Sequence, residues 1–262
     1  MDQEKIAQKT VVVLGAAKSG KSVMAGILAS LGVDMGPTGG PDRSNPRGSF
    51  EDKDFADLHK EIFERAGKGK NYWDPPSLES ILALKDEFAS KIQELSLRKS
   101  RDKTVWGWNH PRTILTAELF LPYLNNPHFI VVFRNPVGTA NSSVQHTEKY
   151  QDRVHFLQAL KLTNFYYGEI LKFLEMHPNL PRSFIAFEEL VDDPLREARK
   201  LAEFLGLEMS EETTKDIHQL VIPREKVEME RKKATDLFTG KIPRLIKQTL
   251  GRAWRTRGQG GA

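Results

Sequence analysis

Val11-Val12-Val13-Leu14-Gly15-Ala16-Ala17-Lys18-Ser19-Gly20-Lys21-Ser22 decides how the rest of the chain is read. Four apolar residues, three of them β-branched, predict a short buried strand. A turn of small residues follows, and Ser22 to Leu31 reads as a helix. Such a strand–turn–helix passage makes an anion cradle: successive backbone N–H groups point inward and the helix dipole adds positive potential. Lys18 and Lys21 add full charges. Gly15 to Ser22 also fits GxxxxGK[ST], a phosphate-binding pattern. The competing reading is a glycine-containing turn that binds nothing, but Gly, Lys and hydroxyl stand together in the context that a phosphate needs.

Outward from this stretch, strands alternate with helices. Strands are predicted at 10–15, 104–108, 129–133 and 183–187. Helices are predicted at 20–32, 54–66, 78–97, 113–124, 136–147, 155–175, 194–205 and 211–220. Asp34 to Arg47 is rich in Gly and Pro and reads as a long loop, and Gly48 to Glu51 as a short extended piece. This order predicts an α/β domain, a parallel sheet covered on both faces. Sites in such sheets lie at the carboxyl ends of the strands, so the loops after 15, 108 and 133 converge on one cleft.

Composition sets the outer bounds. The 262 residues suffice for one large α/β domain. The formal net charge is +4, yet residues 223–262 hold eleven Lys/Arg against four Asp/Glu. The basic character belongs to that end, which argues against a nucleic-acid-binding domain. We therefore expect a domain over 1–222 and a basic extension over 223–262, helical and partly docked. Ile242 to Trp254 would be a basic amphipathic helix, either a docked terminal helix or a peripheral membrane contact. The chain has no cysteine, no apolar signal core after Met1 and no apolar run near 18 residues, so a cytoplasmic protein without a membrane span is expected.

A nucleoside-triphosphatase with this loop often places a metal-orienting Asp after a hydrophobic strand. Here the 129–133 strand runs into Arg134 and the 104–108 strand into Asn109. An Arg there repels Mg²⁺ and suits a second anion, and Ser142, eight residues on, adds a hydroxyl. The plain alternative for Arg134 is a surface ion pair.

With these pieces in place, the chain resembles the sulfotransferases that use 3′-phosphoadenosine 5′-phosphosulfate (PAPS), in particular their bacterial-type branch, over roughly 10–207. Ala17-Lys18-Ser19-Gly20-Lys21-Ser22 is similar to the family's 5′-phosphosulfate loop. Arg134-Asn135-Pro136 with Ser142 is similar to its 3′-phosphate motif. Looser likenesses are Asn45-Pro46-Arg47-Gly48-Ser49-Phe50-Glu51-Asp52, Trp106-Gly107-Trp108-Asn109-His110-Pro111-Arg112, and Phe187 to Pro194 leading to Phe204-Leu205-Gly206-Leu207. The chain departs from the family at Lys21, where Thr or Ser is usual, at Asn109-His110, where the bacterial branch has Lys-Asp, and at Val23, where cytosolic members often have an aromatic residue.

The resemblance implies a P-loop NTPase-like sulfotransferase fold, a three-layer α/β sandwich with a central parallel sheet. It implies sulfuryl transfer from PAPS to an acceptor hydroxyl or amine, leaving adenosine 3′,5′-bisphosphate, with no metal. Lys18 would serve the bridging oxygen. Ala17 to Ser22 would hold the 5′-phosphate, and Arg134 and Ser142 the 3′-phosphate, the Arg fork spanning two oxygens. Glu51 and His110 are alternative general bases, and Arg112 assists either or pairs with the phosphosulfate. Each has a structural alternative: Glu51 as an acid at a helix start, His110 as a hydrogen-bonded buried imidazole. Arg231 and Lys232 stand where cytosolic members close on the 3′-phosphate, although a solvated charge run explains them too. Trp106, Trp108, Trp73 and Tyr72 are candidates for an acceptor pocket or for the core. The acceptor is a small molecule, carbohydrate or lipid. The competing functions are a P-loop kinase or NTPase using ATP and Mg²⁺, which the GxxxxGK[ST] match favours, and a nucleotide-binding relative without turnover.

Overall fold

A computed structural model describes residues 8–37, 50–67, 73–149 and 155–221. The chain divides into two units, Met1–Val221 and Ile222–Ala262. The basic extension, with Arg231, Lys232 and the 242–254 segment, lies outside the described residues, as do Tyr72 and Asn45 to Ser49.

In the first unit, β1 (Lys9–Leu14), β2 (Val105–Asn109), β3 (Pro127–Phe133) and β4 (Arg182–Ala186) form one sheet in the order β2-β1-β3-β4. All three pairings are parallel. The connections carry α1 (Lys21–Ser30), α2 (Lys53–Arg65), α3 (Leu78–Leu82), α4 (Lys85–Ser100), α5 (Thr113–Phe120), α6 (Pro136–Lys149) and α7 (Phe156–Met176). After β4 come α8 (Phe187–Asp192), α9 (Pro194–Leu205) and α10 (Glu211–Leu220). This is the expected α/β architecture with a central parallel sheet.

Strand alternation divides the core. Val12, Leu14, Trp106, Trp108, Phe129 and Val131 share one buried cluster with Phe55 and Phe63 of α2, Ile92 of α4, Phe120 of α5 and Tyr166 of α7. The alternate residues, Val11, Val13, Ile130 and Val132, are equally buried and point to the opposite face. The buried residues of α1 lie outside that cluster, and α1 packs on β1, β2 and α10. Burial on both faces is why β1 and β3 read as continuous apolar runs instead of alternating ones.

Several expected boundaries change. The single helix over 78–97 is two, α3 and α4, because Leu84 leaves regular helix geometry at φ −91, ψ 4 and its amide bonds Ile81 O at 3.0 Å. Both Ile81 and Phe88 are thereby buried. The 113–124 helix stops at Phe120 and tightens into a 3-10 turn over Leu121–Tyr123, with Pro122 in it. Phe187 opens α8, a helix the sequence reading lacked, instead of ending β4. Phe50 has φ 48, a left-handed residue and not an extended one. Asp34 is tied in rather than looped out: it forms an isolated parallel bridge to Trp106. Its amide donates to Val105 O at 3.1 Å and its carbonyl accepts from the Gly107 amide at 2.9 Å.

Trp106 and Trp108 belong to the core, not to an acceptor pocket; they stack with Phe55 at 6.2 and 4.4 Å between ring centroids. Gly107, between them, is obligatory, since a Cβ there would stand 2.0 Å from Val11 O on the neighbouring strand. The Gly107→Ala substitution must part β1 from β2, and we expect a loss of about 3 kcal/mol. A lower urea midpoint at unchanged slope is the expected result; an unchanged midpoint would show that the strands can separate freely.

Candidate functional site

The carboxyl ends of four parallel strands place Gly15, His110, Arg134 and Phe187 along one edge of the sheet. The β1–α1 loop is built around two left-handed residues, Lys18 at φ 64 and Gly20 at φ 103. Such a pair turns successive N–H groups to one side as an anion nest, and a left-handed Lys is a strained residue of the kind found at binding loops. The first helical bond of α1 runs from the Met24 amide to Gly20 O at 3.1 Å. The amides of Lys21, Ser22 and Val23 precede it and have no helical acceptor. The first turn of α1 has no acidic residue and no side-chain cap. Ser19 Oγ is buried and has no hydrogen-bond partner among the described residues. A buried donor without a partner and a helix start without an acid fit an oxyanion.

Lys21 is folded back and buried, and its Nζ donates to Ala16 O at 2.8 Å. Burial lowers its pKa from the ordinary 10.5 to about 8; the Glu51 carboxylate opposes that shift and the Lys18 charge adds to it. Gly20 sits on the Phe187 ring, where a Cβ would meet Cδ2 at 2.3 Å. The other contacts of that ring fix Arg134, whose guanidinium lies 4.7 Å from the ring centroid. Arg134 Nη1 donates to Lys18 O at 3.1 Å. The Tyr167 hydroxyl accepts from the Arg134 amide and donates to the Arg134 carbonyl, both at 2.9 Å. Arg134 is therefore an organised, 9% exposed residue bound to the β1–α1 loop itself. Asn135 Oδ1 accepts from the amides of Val137 and Gly138 and starts α6, in which Ser142 lies half-buried.

Glu51 and His110 come together. His110 Nε2 is 4.0 Å from Glu51 Oε2, farther than a direct hydrogen bond. The neighbouring acids have structural duties. Asp52 caps α2 by accepting from the Asp54 amide at 2.9 Å and is held by Lys99 Nζ at 2.5 Å. Asp54 pairs with Arg98 and Lys99. Glu51 is thus not the helix cap. Desolvation raises its pKa, against the charges of Lys21, Lys18 and Arg112. His110 is held well below the usual imidazole value by burial, then by His59, Arg112 and Lys21. The Arg112 guanidinium covers Phe63 at 5.2 Å, and its buried Nε has no hydrogen-bond partner among the described residues.

The sequence reading missed two residues here. Asn109 Nδ2 donates to Phe50 O at 2.8 Å, which pins the residue before Glu51. His59 is fully buried beneath His110. Its place one helical turn after Phe55, on the apolar face of α2, was the available signal.

Residues 10–211 match the model of the sulfotransferase family. Among solved structures, the sulfotransferase domain from the Synechococcus PCC 7002 olefin synthase superposes with a TM-score of 0.52 at 16% identity, over 81% of this chain and 78% of that one. A sulfotransferase from Mycobacterium avium gives 0.52 at 15% identity, over 83% and 70%. At these identities the likeness shows the fold. No curated protein matches the chain in sequence.

Lys21 carries a pH signature. Its folded pKa of about 8 lies below its unfolded value. Between the two, the unfolded chain binds more protons, so stability rises with pH. The cost of the buried charge is complete below pH 8 and is relieved toward pH 10.5. We expect wild type to gain on the order of 3 kcal/mol relative to Lys21→Met across that window. Urea unfolding of both proteins at a series of pH values measures this; parallel curves would refute it.

Proposed function

The chain belongs to the sulfotransferase family, and from that premise we propose that it transfers a sulfuryl group from PAPS to an acceptor hydroxyl or amine. The observation that carries the proposal is the bond from Arg134 Nη1 to Lys18 O, which joins two anion-binding elements. PAPS has two separated anionic ends, and the chain offers two separated cationic elements in fixed relation.

Bound PAPS supplies an electrophilic sulfur whose bridging oxygen leaves with the bisphosphate. Residues Ala17 to Ser22 hold the 5′-phosphate through loop amides and the Ser19 and Ser22 hydroxyls. Lys18 neutralises charge developing on the bridging oxygen. Arg134 presents its guanidinium to the 3′-phosphate, and Ser142 adds a hydroxyl. Glu51, a carboxylate with a raised pKa set among cations, accepts the acceptor's proton, with His110 beside it. Lys21 serves partly as a structural pin of the loop, since its ammonium already binds Ala16 O. The acceptor is a small molecule, carbohydrate or lipid hydroxyl. No described helix is long and apolar enough to cross a membrane.

A second reading has one specific observation in its favour. Lys21 Nζ curls back onto its own loop at Ala16 O, a posture that also suits a P-loop kinase Lys before ATP and Mg²⁺ bind. Calorimetric titration separates the two. We expect adenosine 3′,5′-bisphosphate to bind in the micromolar range and Arg134→Ala to weaken it by about a hundredfold, as removal of a charge-assisted pair does. Preference for ATP with Mg²⁺, indifferent to Arg134→Ala, would instead establish the kinase reading.

A further inference from the structure

Beneath the Glu51–His110 pair lies a residue that the reaction does not touch. The His59 and His110 rings stack at 4.8 Å between centroids, 13° from parallel. His59 is 0% exposed, and Phe55 and Phe120 flank it at 6.5 and 5.2 Å. Both its ring nitrogens have partners: Nε2 lies 3.1 Å from Thr113 Oγ1 and Nδ1 lies 3.0 Å from Thr116 Oγ1.

The partners' own bonds set the direction of the protons. Trp108 Nε1 donates to Thr113 Oγ1 at 3.0 Å. That hydroxyl is left to give its proton to His59 Nε2, which makes Nε2 the acceptor and Nδ1 the donor. Nδ1–H then donates to Thr116 Oγ1, whose proton goes to Arg112 O at 3.3 Å. The chain from the Trp108 indole to the Arg112 carbonyl is satisfied by neutral His59. A second ring proton would point two donors at Thr113 and strand its hydroxyl proton.

His110 is oriented in turn. Its Nδ1 accepts from the Arg112 amide at 3.3 Å, so the proton of the neutral ring sits on Nε2, the atom nearest Glu51. The charged and titratable groups around His110 are His59 from α2, Lys21 from α1 and Arg112 from the β2–α5 turn, with Glu51, before α2, 4.0 Å from its Nε2. Lys21 and Arg112 oppose a positive imidazole by their charges, as burial does; the neutral His59 ring contributes by covering His110 and not by charge. A neutral Nε2–H leaves Glu51 its charge and offers it a donor; an imidazolium would pair with Glu51 and quench its basicity.

We propose that His59 is a positioning residue: locked neutral between Thr113 and Thr116, its ring holds His110 as a neutral Nε2–H donor toward Glu51, which makes Glu51 and not His110 the general base. The assignment of the base rests on the sulfotransferase reading; the state of the two rings does not.

Long-range ¹H–¹⁵N correlation spectra of the full chain, labelled at histidine and recorded without ligand from about pH 5 to 8, test it, with His110→Gln and His59→Asn identifying the resonances. In wild type we expect both rings neutral throughout, His110 protonated on Nε2 and His59 on Nδ1. In His59→Asn, which removes the stacked ring, His110 should titrate about one unit or more higher and lose its single tautomer. In His59→Phe, which keeps a ring there, His110 should remain neutral. A merely structural His59 would lower stability in both variants without moving the His110 signals. The proposal is overturned if wild-type His110 titrates near the ordinary imidazole value or carries its proton on Nδ1. It is equally overturned if folded His59→Asn leaves the His110 spectrum unchanged; should that variant not fold, the wild-type spectrum decides alone. Adenosine 3′,5′-bisphosphate titrated into the same sample reports on the donor separately: absent binding with the expected spectra would refute the sulfotransferase reading and leave the histidine arrangement standing.

Discussion

Parallel pairing of β1 with β2 on one side and β3 on the other is the constraint on which the site depends. Parallel strands end on the same side, so the turns that leave them must meet. Gly15, His110 and Arg134 are far apart in sequence, yet each follows the last residues of its strand. The pairing demands close backbone approach, which Gly107 permits against Val11. Burial on both faces then keeps the edge in register, since a slip of one residue would exchange the two faces of each strand.

On that edge the loops hold one another. Arg134 reaches from the β3 turn to the Lys18 carbonyl, and Phe187 from the β4 turn supports both Arg134 and Gly20. Tyr167 on α7 clamps the Arg134 backbone from both sides. A guanidinium held by stacking, hydrogen bonding and a fixed backbone loses little freedom on meeting an anion, and such organisation in advance lowers the cost of binding. The charge balance is equally deliberate. Lys18, Lys21 and Arg112 surround one carboxylate, Glu51, and desolvation keeps that carboxylate more basic than an exposed one.

The division of labour among neighbouring residues is as informative as the cations. Asp52 and Glu51 are adjacent acids with different fates: Asp52 caps a helix and pairs with Lys99, while Glu51 faces Lys21 and His110. Asn109, where the resemblance led one to expect a charge, secures Phe50 and thereby the position of Glu51. The departure thus has a local use in this chain.

The sequence by itself determined the sheet, the glycine turn between β1 and α1 and the identity of its cations. Those features are local: a β-branched apolar run, a glycine turn and a helix start lie within a dozen residues and obey periodicity and steric rules. Arg134 was legible for the same reason, as the end of an apolar strand. Tertiary structure alone decided what depends on distant partners. Glu51 and His110, two alternatives in sequence, are one pair in space because Asn109 ties the segment before α2 to the end of β2. Trp106 and Trp108 became core because Phe55 arrived from α2 to stack on them. Lys21, read from the sequence as a charge of the loop, is folded back and buried because its own loop carbonyl holds the ammonium. His59 meets His110 only because packing brings α2 over the β2 turn. Side-chain partners separated by fifty residues leave no periodic signal, so packing, not pattern, set the surroundings of Glu51 and His110.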